Sequence, residues 1–173
     1  MHFKTALVFA GAVLMATGAV RAADVPDATQ KALADIYQLS CTAALDPSDK
    51  NMDAAFATLA PDFVNVDTKG KEHKRDEVVA QGKQQMKLYH STTCDNKFET
   101  ITASDDKTIV IVNTLHVAGD VQTPDGKHDF NVTNKAQDTW KLVDGKWLES
   151  QSKDLHVLVK LDGNVVQDAG SGS

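Results

Sequence analysis

The sequence has 173 residues, of which 42% are hydrophobic, and a formal net charge of −6 at pH 7. A chain of this length is sufficient for one domain with a single buried core. Its acidic balance argues against binding to the phosphate backbone of a nucleic acid. We therefore predict a single domain with no nucleic-acid partner.

Residues 1–22 have the features of a secretory signal peptide. A short basic start is followed by an apolar run over residues 6–20, and Val20-Arg21-Ala22 puts small side chains where a signal peptidase reads. The alternative, an uncleaved membrane anchor, needs about 20 apolar residues. Cleavage after Ala22 removes Lys4 and Arg21 and no acidic residue, which changes the charge from −6 to −8. We predict an exported protein, periplasmic or secreted, with no membrane anchor after cleavage.

Two cysteines, Cys41 and Cys94, remain in the predicted mature chain. Oxidising conditions outside the cytoplasm favour pairing, so we predict a disulfide bond between them. The alternative is a pair of buried free thiols. No Cys-x-x-Cys spacing indicates redox catalysis or a metal site.

The first half of the mature chain predicts helices. Apolar residues recur at three- and four-residue steps on one face of a helix that ends at Asp46-Pro47: Leu33, Ile36, Tyr37, Cys41 and Ala44. A second helix is predicted at 51–59, ended by Pro61, and a third at 76–88. Phe63, Val64 and Val66 predict a short extended run between them.

The second half predicts long antiparallel strands at 92–103, 108–122, 127–143 and 146–161. Asp144-Gly145 between the last two is a strong signal for a tight β-hairpin, and Trp140 and Trp147 flank it. Helices followed by a strand meander predict an α+β domain at 23–165. The Gly/Ser-rich tail, within 166–173, is predicted to be disordered.

Several runs of residues resemble a known family. The element order, the run LAPDFVNVDTKG at 59–70, the helix start near KRDEVV and the run QDTWKLVDGKW at 137–147 resemble the SnoaL-like branch of the nuclear transport factor 2-like superfamily. The resemblance implies a ketosteroid isomerase-like cone, in which three N-terminal helices pack on a strongly curved antiparallel sheet and a pocket lies between them. Because the superfamily contains isomerases, epoxide hydrolases, cyclases, dehydratases and noncatalytic members, the resemblance does not fix an activity.

The resemblance also implies two candidate catalytic residues. Asp67 falls near the general base of the isomerases, where desolvation would raise the pKa of the carboxyl, and Tyr37 falls near their oxyanion donor. The alternative for Asp67 is a strand-end carboxylate that accepts the amides of the following turn, which would argue against the isomerase function.

Three functions compete at the predicted pocket. The first is a binding module for a small apolar or amphipathic molecule, the second an isomerase, dehydratase or cyclase-type enzyme, and the third a filled pocket in a domain that forms a homodimer through its sheet. The predicted binding residues are Phe56, Phe63 and Met86, with His116, Asn134, Gln137 and Trp140 from the sheet. The histidine spacing and the absence of phosphate-loop or nucleophile motifs predict no metal and no cofactor.

Overall fold

A computed structural model describes residues 25–170 of the chain. The predicted signal peptide, residues 1–22, lies outside the described residues. Residues 25–170 form three helices and seven strands: α1 (Asp27–Leu45), α2 (Asp49–Phe56), β1 (Leu59–Val66), β2 (Glu72–Lys74), α3 (Arg75–Leu88), β3 (Tyr89–Asp105), β4 (Thr108–Thr123), β5 (Gly126–Val143), β6 (Lys146–Leu161) and β7 (Asn164–Gly170). None of the helices within residues 25–170 combines the length and the hydropathy of a bilayer-spanning segment.

Helix α1 follows its predicted pattern. Leu33, Tyr37 and Cys41, spaced four residues apart, are buried on one face, and the helix ends before Pro47. Helix α2 is shorter at its C-terminal end than predicted, because it ends at Phe56. The carbonyl of Thr58 accepts a hydrogen bond of 2.9 Å from the amide of Glu149, so Leu59 starts β1 rather than ending a helix.

The sheet has the order β2-β1-β6-β5-β4-β3, with β7 also paired to β6. The predicted meander is present, since β3 to β6 pair in turn as antiparallel neighbours. Asp144 and Gly145 form the tight turn with φ values of 49° and 77°. Strand β1, however, pairs with β6 in parallel, so the sheet is mixed rather than wholly antiparallel. The α+β class with three helices packed on one sheet is confirmed.

The end of the described chain differs from the predicted disordered tail. Residues 166–170 belong to β7, which pairs with β6 from Leu161↔Asn164 to His156↔Gly170. A second Asp-Gly turn causes this pairing, because Asp162 and Gly163 adopt φ values of 48° and 80° and reverse the chain. Residues 171–173 lie outside the described residues.

The core joins α1 to the sheet. Trp140 is 1% exposed and Trp147 packs against the same cluster, together with Leu33, Tyr37, Ile109 and Ile111. A smaller cluster of Ala43, Met52 and Ala55, with Phe56 and Met86 against it, joins the three helices.

The predicted disulfide bond is confirmed. Cys41 of α1 and Cys94 of β3 are joined at an S–S distance of 2.05 Å, and their sequence separation is 53 residues. Such bonds are typical of proteins outside the reducing cytoplasm. The bond fixes the C-terminal half of α1 over the sheet.

Candidate functional site

A cavity of about 220 Å³ lies between α1, α3 and the helix-facing side of the sheet. Helix α1 contributes Ser40 and Ala44, and α3 contributes Gly82, Gln85 and Met86. The remaining wall comes from strands β3 to β5: Tyr89, Ser91, Cys94, Leu115, Val117, Phe130 and Val132. None of these lining residues carries a charge at neutral pH. The cavity is therefore mainly apolar and suited to a neutral molecule.

A buried hydrogen-bond network lies between α1 and the sheet. The Tyr37 hydroxyl donates to Asp138 Oδ2 at 2.6 Å and accepts from Trp140 Nε1 at 3.0 Å. Asn113 donates to the same Asp138 oxygen, and the Ser152 hydroxyl donates to Asp138 Oδ1 at 2.7 Å. Asp138 is only 4% exposed, so these three donors replace the water that its carboxyl loses on folding.

Two acids with raised pKa values, Asp138 and Glu149, belong to this region. Burial raises the pKa of the Asp138 carboxyl, against the lowering effect of its hydrogen bonds to Tyr37, Ser152 and Asn113. Although part of Glu149 is exposed, its carboxyl is desolvated, and this burial, with the nearby Asp138 charge, raises its pKa well above the usual value of 4.5. Burial also raises the pKa of Tyr37, so its phenol stays protonated. Burial thus shifts all three groups towards their protonated forms.

Asp67 is in a different environment from the one predicted. Its Oδ1 accepts the backbone amides of Lys69 and Lys71 at 2.8 and 2.9 Å, and its Oδ2 lies 3.4 Å from His73 Nε2. The Lys71 amide bond is the largest cause that holds the pKa of Asp67 below its usual value. A general base was expected to have a raised pKa. The arrangement is instead that of a carboxylate that caps the turn after β1.

His73 is the other titratable group at this turn. Its Nδ1 lies 2.8 Å from Glu77 Oε1, and the bonds to Glu77 and Asp67 raise the pKa of the imidazole. Within residues 25–170, no group of three or more histidine, cysteine, aspartate or glutamate side chains is placed to hold a metal ion.

Comparison with known proteins gives matches in structure alone, since neither a protein-family model nor a curated protein matches the sequence. An NTF2-like protein from Cytophaga hutchinsonii has a TM-score of 0.55 at 15% identity, covering 72% of this chain and 95% of that protein. The chain has the nuclear transport factor 2-like fold. The predicted resemblance is therefore confirmed at the level of the fold.

Two further solved structures share this architecture. A conserved protein from Planctomyces limnophilus has a TM-score of 0.64 at 14% identity, covering 79% of this chain and 99% of that protein. A hexachlorocyclohexane dehydrochlorinase from Novosphingobium barchaimii has a TM-score of 0.60 at 9% identity, covering 84% and 92%. Because identities this low show the fold alone, the activity must be argued from the cavity and its residues.

Within this nuclear transport factor 2-like fold, the predicted binding residues separate into four groups. Met86 lines the cavity. Phe56 packs in the helical cluster with Met86, while Phe63 and Trp140 are buried at 4% and 1% exposure, and none of the three is part of the cavity wall.

His116 and Gln137 lie on the sheet face opposite the cavity. Leu115 and Val117 line the cavity, and successive strand residues point to opposite faces, so His116 points away from it. Gln137 likewise lies between the buried residues Ala136 and Asp138. Neither of these two predicted binding residues therefore lines the cavity.

Asn134 faces the helices but is not part of the cavity wall. Its Nδ2 donates to Asp154 Oδ1 at 3.1 Å, and its Oδ1 is buried with no hydrogen-bond partner among the described residues. Asn96 Oδ1 is also buried with no hydrogen-bond partner among these residues. Both asparagines are the cross-strand neighbours of Leu115, which lines the cavity. A polar band thus separates the apolar cavity from the Asp138 network.

Sequence reasoning did not identify several residues of these sites: Ser91, Asn113, Glu149 and Ser152. One signal was available for two of them. Asn113 shares its strand face with Ile109 and Ile111, and Ser152 pairs with Asp138 across the sheet. A polar residue at a core position of a strand normally has a buried partner, which could have indicated a network.

Proposed function

We propose that this protein binds a small, neutral and mainly apolar molecule in the cavity between α1, α3 and the sheet. The observation that carries the proposal is the cavity itself, because it has a volume of about 220 Å³ and no charged residue in its wall. Ligand pockets are typically apolar with a few polar groups that orient the ligand. An apolar cavity of about 150 Å³ is already large enough to bind benzene.

The same proposal places binding outside the cytoplasm. Residues 1–22 read as a signal peptide, and the Cys41–Cys94 bond would form in the oxidising environment that follows export. Periplasmic or secreted protein should therefore begin at Ala23. N-terminal sequencing of the protein from the exported fraction tests this, and an intact residue 1–22 segment there would contradict it.

A homodimer through the sheet face opposite the cavity is part of the proposal. That face carries half-buried residues of mixed character, among them Val110, Val112, Gln137 and Thr139. Sedimentation at tens of micromolar tests the assembly, and a monomer at that concentration would contradict it.

The enzyme alternative has less support. Tyr37 has no free proton to offer an oxyanion, because its hydroxyl donates to Asp138, and Asp67 accepts the amides of its own turn. An isomerase, dehydratase or cyclase that uses Asp67 as base and Tyr37 as donor would need both groups rearranged. A binding function needs only the cavity that is present.

Native mass spectrometry and a cavity-filling variant together test the binding proposal. Protein purified from the exported fraction of its own host, without denaturing steps, should carry a small-molecule adduct. Val132→Phe places a larger side chain in the cavity wall, whereas Val143→Phe makes the same change on the same strand at a side chain that is 45% exposed. We expect the adduct to be lost in Val132→Phe and kept in Val143→Phe.

Small aromatic probes extend the test to the case in which purification removes the natural ligand. Addition of p-xylene or p-cresol should shift the NMR signals of Leu115 and Val132, and Val132→Phe should abolish the shifts. If wild-type protein binds neither probe and carries no adduct, the binding proposal fails.

A further inference from the structure

One polar side chain at the cavity differs from the others in its burial. Ser40 and Gln85 are exposed at the mouth, where water can satisfy them, and Tyr89, which carries the other hydroxyl of the inner wall, is half-buried. Ser91 is 8% exposed and also lines the cavity. Its hydroxyl makes no hydrogen bond to any of residues 25–170. Its oxygen is not one of the fully enclosed unpaired side-chain atoms of these residues, which are Asn96 Oδ1 and Asn134 Oδ1, so it keeps accessible surface. A polar group of this kind in an apolar wall can orient a ligand.

The local backbone explains why Ser91 reaches the cavity. Ser91 pairs with Gly119 across β3 and β4, and the register shifts between Ser91 and Thr93. A Cβ on residue 119 would lie 2.1 Å from the His90 carbonyl oxygen and 2.7 Å from Ser91 Cα. Only glycine therefore lets β3 come this close to β4. The bulge after Ser91 keeps both Ser91 and Cys94 on the helix-facing side, where each lines the cavity.

From this geometry we infer that Ser91 anchors the ligand, and that the ligand is a neutral molecule with an apolar body and one hydroxyl or carbonyl oxygen. This inference rests on the proposed function and specifies the ligand class of the same cavity. A serine hydroxyl can donate to a carbonyl and can donate to or accept from an alcohol or phenol.

The rest of the wall excludes other classes. A carboxylate or an ammonium group would be buried in this cavity with no charged lining residue to pair with it, which is strongly unfavourable. A pure hydrocarbon would leave the Ser91 hydroxyl unpaired in the complex as well. The ring pair of Tyr89 and Phe130, with centroids 4.8 Å apart, provides an apolar surface for the body of the ligand.

Two isosteric probes test the anchor. The compounds p-cresol and p-xylene differ by one hydroxyl in place of one methyl group, and NMR titration gives the dissociation constant of each. The readout is the ratio of the p-xylene constant to the p-cresol constant, which cancels changes that affect both probes. Ser91→Ala removes only the hydroxyl, and Ser104→Ala makes the same change on the same strand at an exposed position.

We expect Ser91→Ala to lower this ratio about fivefold, the effect of losing one hydrogen bond, and Ser104→Ala to leave it unchanged. If both probes bind and the ratio is the same in Ser91→Ala and wild type, Ser91 does not anchor the ligand. The proposed binding function would still hold in that case. If wild type binds neither probe and carries no adduct, the binding function itself fails. Should Ser91→Ala not fold, Ser91→Gly gives the same comparison, with the thermal unfolding transition as the check on folding.

Discussion

The Tyr37 hydroxyl donates a hydrogen bond of 2.6 Å to Asp138 Oδ2, joining residues 101 positions apart in the sequence. The same oxygen of Tyr37 accepts from Trp140 Nε1, so one phenol links α1 to two positions of β5. All three side chains are buried, and water cannot replace either bond. The packing of α1 on the sheet therefore depends on polar contacts as well as on the apolar cluster around them.

Tyr37→Phe should test this link. Removal of the hydroxyl leaves the Trp140 N–H without an acceptor and takes one donor from Asp138, at a cost of about 1–3 kcal/mol in the free energy of unfolding. Tyr89→Phe is the matched control, because the Tyr89 hydroxyl bonds no group in residues 25–170 while its ring keeps its contact with Phe130. Urea denaturation should show a clear loss for the first variant and almost none for the second. Equal losses would contradict a stabilising role for the Tyr37 bonds.

Glu149→Gln should change the dependence of stability on pH. An acid whose pKa is raised in the folded state keeps its proton on folding, so its contribution to stability is present below the unfolded pKa and is lost as the pH rises towards the folded pKa. The usual pKa of Glu149 is 4.5 and burial raises it well above that value. The wild type should therefore lose stability relative to Glu149→Gln above about pH 4.5, by at most about 1.4 kcal/mol per pH unit.

Urea denaturation across a pH series measures this difference. Glu72→Gln is the control, since Glu72 is exposed and this substitution removes the same type of charge. The raised pKa of His73 also reduces stability as the pH rises, but it is present in all three proteins and cancels in the comparison. A Glu149→Gln profile parallel to that of the wild type would contradict a raised pKa of Glu149 in the folded protein.

The periodic elements could be predicted from the sequence because local rules decide them. The four-residue spacing of Leu33, Tyr37 and Cys41 gave α1, and Asp144-Gly145 gave the hairpin between β5 and β6. The second Asp-Gly turn, at Asp162 and Gly163, carried the same signal, but the prediction did not use it and relied on the Gly/Ser content of the tail. Turn chemistry was the better guide, since it produced β7.

The site was less predictable because it depends on which face of the sheet each side chain occupies and on how strands far apart in the sequence pair. Tyr37 was correctly placed on the inward face of α1, but its partner Asp138 comes from β5, and only the register of that strand brings the two together. Ser91 becomes inward-facing through a bulge, which shifts the alternation by one residue. Neither the register nor the bulge is encoded in a short sequence pattern.

Replacement of both cysteines should lower stability without changing the fold. The bond closes a loop with a sequence separation of 53 residues, for which the loop-entropy relation gives a loss of roughly 4 kcal/mol in the free energy of unfolding. We expect the Cys41→Ala, Cys94→Ala double variant to unfold at lower urea and to be insensitive to reductant. The wild type should approach the variant when a reductant is added. If reduction leaves the wild-type transition in place, the bond does not stabilise the fold.

Gly119→Ala should disturb the strand pair that carries Ser91. The added Cβ would lie 2.1 Å from the His90 carbonyl oxygen, so the backbones of β3 and β4 would have to separate. Overpacking of this kind costs about 1–3 kcal/mol. In contrast, the Cβ of Gly170→Ala would meet its nearest atoms at 3.7 Å, an ordinary contact, and we expect a change within about 0.5 kcal/mol.

The same variant also connects stability with binding. Because separation of β3 and β4 moves Ser91, Gly119→Ala should weaken the binding of p-cresol more than that of p-xylene, whereas Gly170→Ala should affect neither. Urea denaturation and NMR titration of the two variants measure both effects. If Gly119→Ala kept wild-type stability and wild-type p-cresol affinity, the fold would not depend on the close approach of β3 and β4, and that approach would not position the Ser91 hydroxyl.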